Sequence, residues 1–222
     1  MNASRLLQAG CCVQAIVLLL LVSQTAWAEL EPSCAKDSPE RRGEIGCSLV
    51  EDKPLPETLK GPLFWHIDRF DSEDSARAAV SPVSLAFQAH GTWWLFTLEA
   101  KVSDHHGGHH VRAIALPPLP PAPKYSMLAM SANVPAGLTS RVHHHSGVEG
   151  FYVVDGEQCL ETEARIYKMP KGTGVAIPTG VTMRLVATGS VPRKALAIIV
   201  YDSSQPPTTR EETSPPALLS CQ

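Results

Sequence analysis

The chain has 222 residues, 44% apolar and 18% charged, with 22 acidic side chains against 19 Lys and Arg for a net charge of −3. That length supports a real core in one or two domains, and the balance of charge offers no basic field for nucleic acid. Multi-span membrane proteins, collagens, wholly disordered chains and disulfide-dense mini-proteins are excluded by the broken apolar runs, 19 Pro, 15 Gly and only 6 Cys.

Arg5 is the only charge before Glu29, the apolar heart runs over 15–22, and Ala26-Trp27-Ala28 follows it. This is the order of a secretory signal, with cleavage expected after Ala28. An uncleaved anchor is the alternative, but Gln8, Gln14, Ser23, Gln24 and Thr25 interrupt the stretch. Cys11 and Cys12 precede the apolar run, where a lipidated cysteine would follow it. The expected compartment is the periplasm or the exterior. There Cys34, Cys47, Cys159 and Cys221 can pair in three ways; Cys34 with Cys47 is favoured as the short loop, and free thiols remain open.

Residues 29–60 are polar with interspersed Pro and read as an irregular arm. The segment Phe64-Trp65-His66-Ile67-Asp68-Arg69-Phe70 reads as a strand or a docking segment. A short helix is expected over 71–80, capped by Asp71 with Glu73 and Asp74 in its first turn, and ended by Pro82. Strands follow at 83–90, 92–102 and 109–116, the last two joined as a hairpin through Asp104-His105-His106-Gly107-Gly108. The stiff stretch at 117–123, PPLPPAP, marks an internal boundary. Eight short strands then follow, at 125–134, 141–145, 149–155, 158–160, 165–169, 175–177, 182–188 and 195–201. With no helix between them they indicate a β-sandwich or barrel. Residues 203–222 read as a flexible Pro/Ser/Thr-rich tail. The division is therefore 1–28 signal, 29–117 extension with a helix and hairpin, 118–202 barrel, and 203–222 tail.

Chemistry concentrates at 137–156. Side chains alternate along a strand, so His143 and His145 share a face and His144 points away, toward solvent. Glu149 opens the next strand on a face shared with Phe151 and Val153. Two imidazoles and one carboxylate suit a divalent metal, whether Fe, Mn, Ni or Zn. Asp104 to His110 is a His-dense turn; a solvated turn is favoured over a second metal site. Glu157, Glu161 and Glu163 read as a solvated face. Trp65, Trp93 and Trp94 read as core before pocket.

The spacing Gly137, five residues, His143-x-His145, three residues, Glu149, six residues, Gly156 resembles the first motif of the cupin family without a mismatch. The second motif is matched by Gly172, Pro178 and Gly180, but its His is Met183 here and its closing Asn is Ala187. The resemblance covers about 125–201; the Trp-His-Ile-Asp-Arg-Phe segment is similar to that of exported bacterial cupins. It implies an all-β double-stranded β-helix (jelly-roll), extended at its N-terminus by extra strands and a short helix. It also implies a divalent metal held by His143, His145 and Glu149, and it does not extend to Met183, because a thioether is a soft, weak ligand beside a carboxylate. Phe151, Met183 and Leu185 are expected to wall a pocket for a small-molecule ligand. A metal-dependent dioxygenase or isomerase and a non-catalytic binding module both fit, as does a monomer or a homodimer. A histidine outside the motif, such as His66 or His90, is a candidate for the missing ligand.

Overall fold

The structure, a computed structural model, describes residues 29–30, 46–57, 59, 61–100, 108–211 and 216–221. The expected signal segment, Cys34 and most of the His-dense turn lie outside the described residues. In chain order the strands are β1 (Glu29–Leu30), β2 (Gly46–Pro54), β3 (Phe64–Phe70), β4 (Ser84–Ala89), β5 (Thr92–Glu99), β6 (His109–Ala115), β7 (Tyr125–Val134), β8 (Thr139–Ser140), β9 (His143–His145) and β10 (Val148–Asp155). There follow β11 (Glu157–Thr162), β12 (Ile166–Pro170), β13 (Gly174–Ile177), β14 (Met183–Thr188), β15 (Arg193–Asp202) and β16 (Thr208–Arg210). One helix, α1 (Glu73–Ala78), lies between β3 and β4. Its cap is Ser72 rather than Asp71: the Ser75 amide donates to Ser72 Oγ at 3.2 Å.

The described strands form three sheets. One runs β13-β10-β15-β7-β2, one runs β1-β8-β14-β11-β12 with β9 and β16 attached, and the third runs β4-β5-β3-β6. The first sheet is the middle layer, and alternation along its strands explains why. On β15 the side chains of Ala197, Ile199 and Tyr201 join Phe151, Leu160 and Met183 in the core facing the second sheet. Leu196, Ile198 and Val200, on the other face, join Trp65, Ile67 and Phe96 of the third sheet. A strand covered on both faces needs no polar alternation, which is why 195–201 is an unbroken apolar run. Each such Leu, Ile or Val contributes about 1.5–3 kcal/mol by leaving water. The layers meet closely: a Cβ on Gly150 would come within 2.8 Å of the Trp65 ring. No helix among the described residues is long and apolar enough to cross a membrane.

Three expectations are corrected. Residues 46–54 are a nine-residue strand on the edge of the middle sheet, not part of an irregular arm. A register shift between Leu49 and Glu51 breaks its alternation, and an edge strand tolerates Glu51, Asp52, Lys53 and Pro54. Second, β5 and β6 do not form a hairpin; β3 lies between them and pairs with both. The apolar β3 takes the central place because its side chains are buried there, leaving the polar His109 and His110 on the edge. Third, the stretch after 203 is anchored. Its strand β16 pairs with β9, the Leu219 amide donates to the Thr162 carbonyl, and Cys221 is disulfide-bonded to Cys159. Cys47 is disulfide-bonded as well, and the Cys34 side of the favoured pairing lies outside the described residues.

Candidate metal centre

His143 and His145 stand on β9 and Glu149 on β10, across a short bend. All three are buried, and their candidate ligand atoms lie within 4.8 Å of one another. The bend is tight because Gly147 runs against β15: a Cβ there would lie 2.1 Å from the Val200 carbonyl oxygen. At the far end of β10 the hairpin into β11 turns on Gly156, whose φ of +71° favours glycine. Strand and turn together fix where Glu149 stands.

The backbone sets the protonation of both rings. His143 Nδ1 lies 2.7 Å from the Arg141 carbonyl oxygen, and His145 Nδ1 lies 3.1 Å from the Pro207 carbonyl oxygen. A carbonyl can only accept, so each Nδ1 carries the hydrogen and each Nε2 presents a lone pair. His145 Nε2 and Glu149 Oε2 are 2.8 Å apart, yet neither has a hydrogen-bond partner when Nε2 is unprotonated. Two buried acceptors at that distance need a cation or a proton between them. Burial lowers the pKa of His145, but Glu149 and the Pro207 carbonyl outweigh it, and the net shift is upward. Burial moves His143 downward, helped by His145. The donor set, two neutral imidazoles and a carboxylate, fits a divalent metal, and His143, His145 and Glu149 would hold it.

The three side chains open into a cavity of about 450 Å³ between the first and second sheets. Phe151 and Leu185 line it. Met183 does not belong to that wall. It stands opposite His143 in the β9–β14 pair and is packed in the core with Phe151 and Tyr201. His144 is half-buried rather than exposed, with its Nδ1 2.7 Å from Glu211 Oε1. Neither His66 nor His90 joins the cluster. His66 is buried on β3 in the third sheet, and His90 Nε2 donates to the Ala195 carbonyl on the back of β15. His110 Nδ1 pairs with Asp68 at 3.0 Å. Glu161 is buried, not solvated: it holds Arg184 and accepts from the Cys221 amide.

Asp52, Arg193, Pro207 and Thr208 are among the cavity residues that the sequence did not mark as site residues. For Arg193 a signal existed. It has the same parity as Ala195, Ala197 and Ile199, which makes it a lone cation on an inward face.

The fold is a jelly-roll of largely antiparallel sheets, in which two histidines and a glutamate face a cavity. Residues 130–199 match the family of the cupin domain, and this part of the chain is a cupin domain. Among curated proteins none matches the sequence. Similar solved structures include the DMSP lyase DddQ from Ruegeria pomeroyi DSS-3, 22% identical over 38% of this chain and 43% of that one, with a TM-score of 0.34. A cupin-like protein from Thermotoga maritima MSB8 is 17% identical over 39% of this chain and 63% of that one, TM-score 0.34. A salicylate 1,2-dioxygenase from Pseudaminobacter salicylatoxidans is 18% identical over 33% and 20%, TM-score 0.31. The chain spans less than two thirds of the length of each.

Proposed function

We propose that this is an exported cupin that binds one divalent metal through His143, His145 and Glu149 and acts on a small organic molecule in the adjoining cavity, as a dioxygenase or an isomerase. The observation that carries the metal reading is the pair of acceptors, His145 Nε2 and Glu149 Oε2, buried and facing each other while both Nδ1 atoms are engaged by carbonyls. A bound metal would supply Lewis acidity and open coordination positions. The chain's own part is to orient the rings through Arg141 and Pro207, to exclude bulk water with Phe151 and Leu185, and to hold the ligand. Export is supported by the Cys159–Cys221 disulfide and by the disulfide at Cys47, since such bonds persist in oxidising compartments.

A second reading, a binding module without turnover, is favoured by one observation: Met183 occupies the position of the fourth ligand and is packed in the core. Metal content of the untagged protein, measured beside a His143→Ala/His145→Ala variant, tests the metal. Near one equivalent, lost in the variant, is the expected result. Metal in neither protein after reloading with Fe(II), Mn(II), Ni(II) and Zn(II) refutes the metal reading. Oxygen consumption by the loaded protein then separates a dioxygenase from a module.

A further inference from the structure

Arg193 opens β15 and is buried, with only 4% of its surface exposed. Its Nε donates to the Gln158 side-chain carbonyl, and this is the one hydrogen bond its guanidinium makes among the described residues. No carboxylate among the described residues stands within ion-pair distance of it. Yet the side chain lines the same cavity as the His143, His145 and Glu149 cluster. Burial pulls its pKa down to about 10, against the field of Glu149, so it stays charged at neutral pH. A desolvated cation left without an anion is costly, and the structure normally pairs it.

The rest of the cavity narrows what could do the pairing. Its wall is mostly apolar, contributed by Leu128, Met130, Val134, Leu138 and Phe151. Asp52 also faces it and accepts from Tyr201 Oη at 2.9 Å. Glu149 stands against His145 and Asp52 is exposed, so the buried Arg193 carries one positive charge that neither carboxylate pairs with. That is the charge of a monoanion. A guanidinium presents its donors as a planar fork, which suits a carboxylate held by two parallel bonds.

We infer that the cavity takes a small apolar monocarboxylate, whose carboxylate pairs with Arg193 and whose apolar body lies along the wall toward His143, His145 and Glu149. This rests on the proposed function for the role of the metal, but the Arg193 contact itself does not need the ion.

The test is calorimetric titration of chelator-treated protein with benzoate against benzamide and with hexanoate against hexanamide, pairs that differ in charge and little in shape. In the metal-free wild type the carboxylate of at least one pair should bind roughly 10- to 100-fold more tightly than its amide. Arg193→Gln should erase that preference and leave amide binding in place. Arg193→Lys, which keeps the charge and loses the fork, should retain part of it. Equal affinity within both pairs in the wild type, or no binding of any of the four, overturns the inference without recourse to a variant. A carboxylate preference that survives in Arg193→Gln overturns it too. A preference that emerges only on adding Zn(II), and is lost in His143→Ala/His145→Ala, assigns the carboxylate to the metal and also overturns it. Failure of the metal reading shows separately, as absence of bound metal in a protein that still prefers carboxylates.

Discussion

Deleting residues 206–222, with Cys159→Ser to remove the orphaned thiol, tests whether the C-terminal strand belongs to the metal centre. In the intact chain the Pro207 carbonyl accepts from both the Ser146 amide at 3.2 Å and His145 Nδ1 at 3.1 Å, and Thr208 Oγ1 lies 3.1 Å from the same ring nitrogen. Ser146 Oγ donates to the Pro206 carbonyl, and β16 pairs with all three histidines of β9. Truncation therefore removes the partners that fix the tautomer and plane of His145, while His143 keeps Arg141. Loss of one such outer partner weakens metal binding by about 10- to 100-fold, or about 1.4–2.7 kcal/mol. No residue after Tyr201 belongs to any described core cluster, so the truncated protein should keep its fold. Zn(II) affinity by chelator competition, with circular dichroism as the control for folding, reads the effect. The full-length Cys159→Ser/Cys221→Ser variant keeps β16 and should bind metal within about threefold of wild type, because the pairing and not the disulfide presents the carbonyl. A folded truncated protein with wild-type affinity refutes the reasoning.

Two further outcomes follow from local geometry. Gly147→Ala places a methyl 2.1 Å from the Val200 carbonyl oxygen and 2.6 Å from Tyr201 Cα, both backbone, so β10 must shift and carry Glu149 with it. The expected cost is on the order of 3 kcal/mol in urea denaturation, and an unchanged midpoint contradicts the close approach. His90 has its pKa lowered from 6.5, mainly by burial, while its Nε2–H donates to the Ala195 carbonyl. The fold thus favours the neutral ring: the stabilisation is complete above pH 6.5 and is lost as pH falls through the lowered value. His90→Asn, which tolerates the positive φ of +52°, should show a shallower loss of stability between pH 7.5 and pH 5 than wild type. Parallel pH profiles for the two would refute the assignment.

The strands from 125 to 201 were legible because β-branched runs and turn residues alternate there, and the candidate cluster was legible because its three side chains fall within seven residues. What escaped reading depends on distant contacts. The edge strand β2 hides behind a register shift and a charged tip. The insertion of β3 between β5 and β6 is a choice among pairings that local sequence does not make, because each of the three offers an apolar face. The tail looks disordered by composition, and what holds it is a disulfide and pairing with β9. Arg193 was overlooked because it follows Pro192 at a strand end, where a charge is ordinarily solvated.

The centre is built from two unlike halves. Glu149 stands on β10, in a sheet packed on both faces, with Trp65 against Gly150 on one side and the cavity on the other. Its position is set by the core. The histidines stand on the three-residue strand β9 at the margin of the second sheet, paired with β14 on one edge and β16 on the other. Opposite His143, Met183 adds packing and no coordination suited to a carboxylate site. A metal held by three protein ligands would keep more positions open than one held by four, and Arg193 lines the cavity into which the three side chains open. A ligand held there by its carboxylate would then find coordination positions that no protein side chain fills. On this account the absent fourth histidine enlarges the share of the coordination sphere left to the ligand, and a Met183→His variant should bind metal more tightly while losing ligand-induced change at the metal. Cobalt(II) absorption spectra, recorded with and without hexanoate, read that change directly. A larger hexanoate response in Met183→His than in wild type would contradict the account.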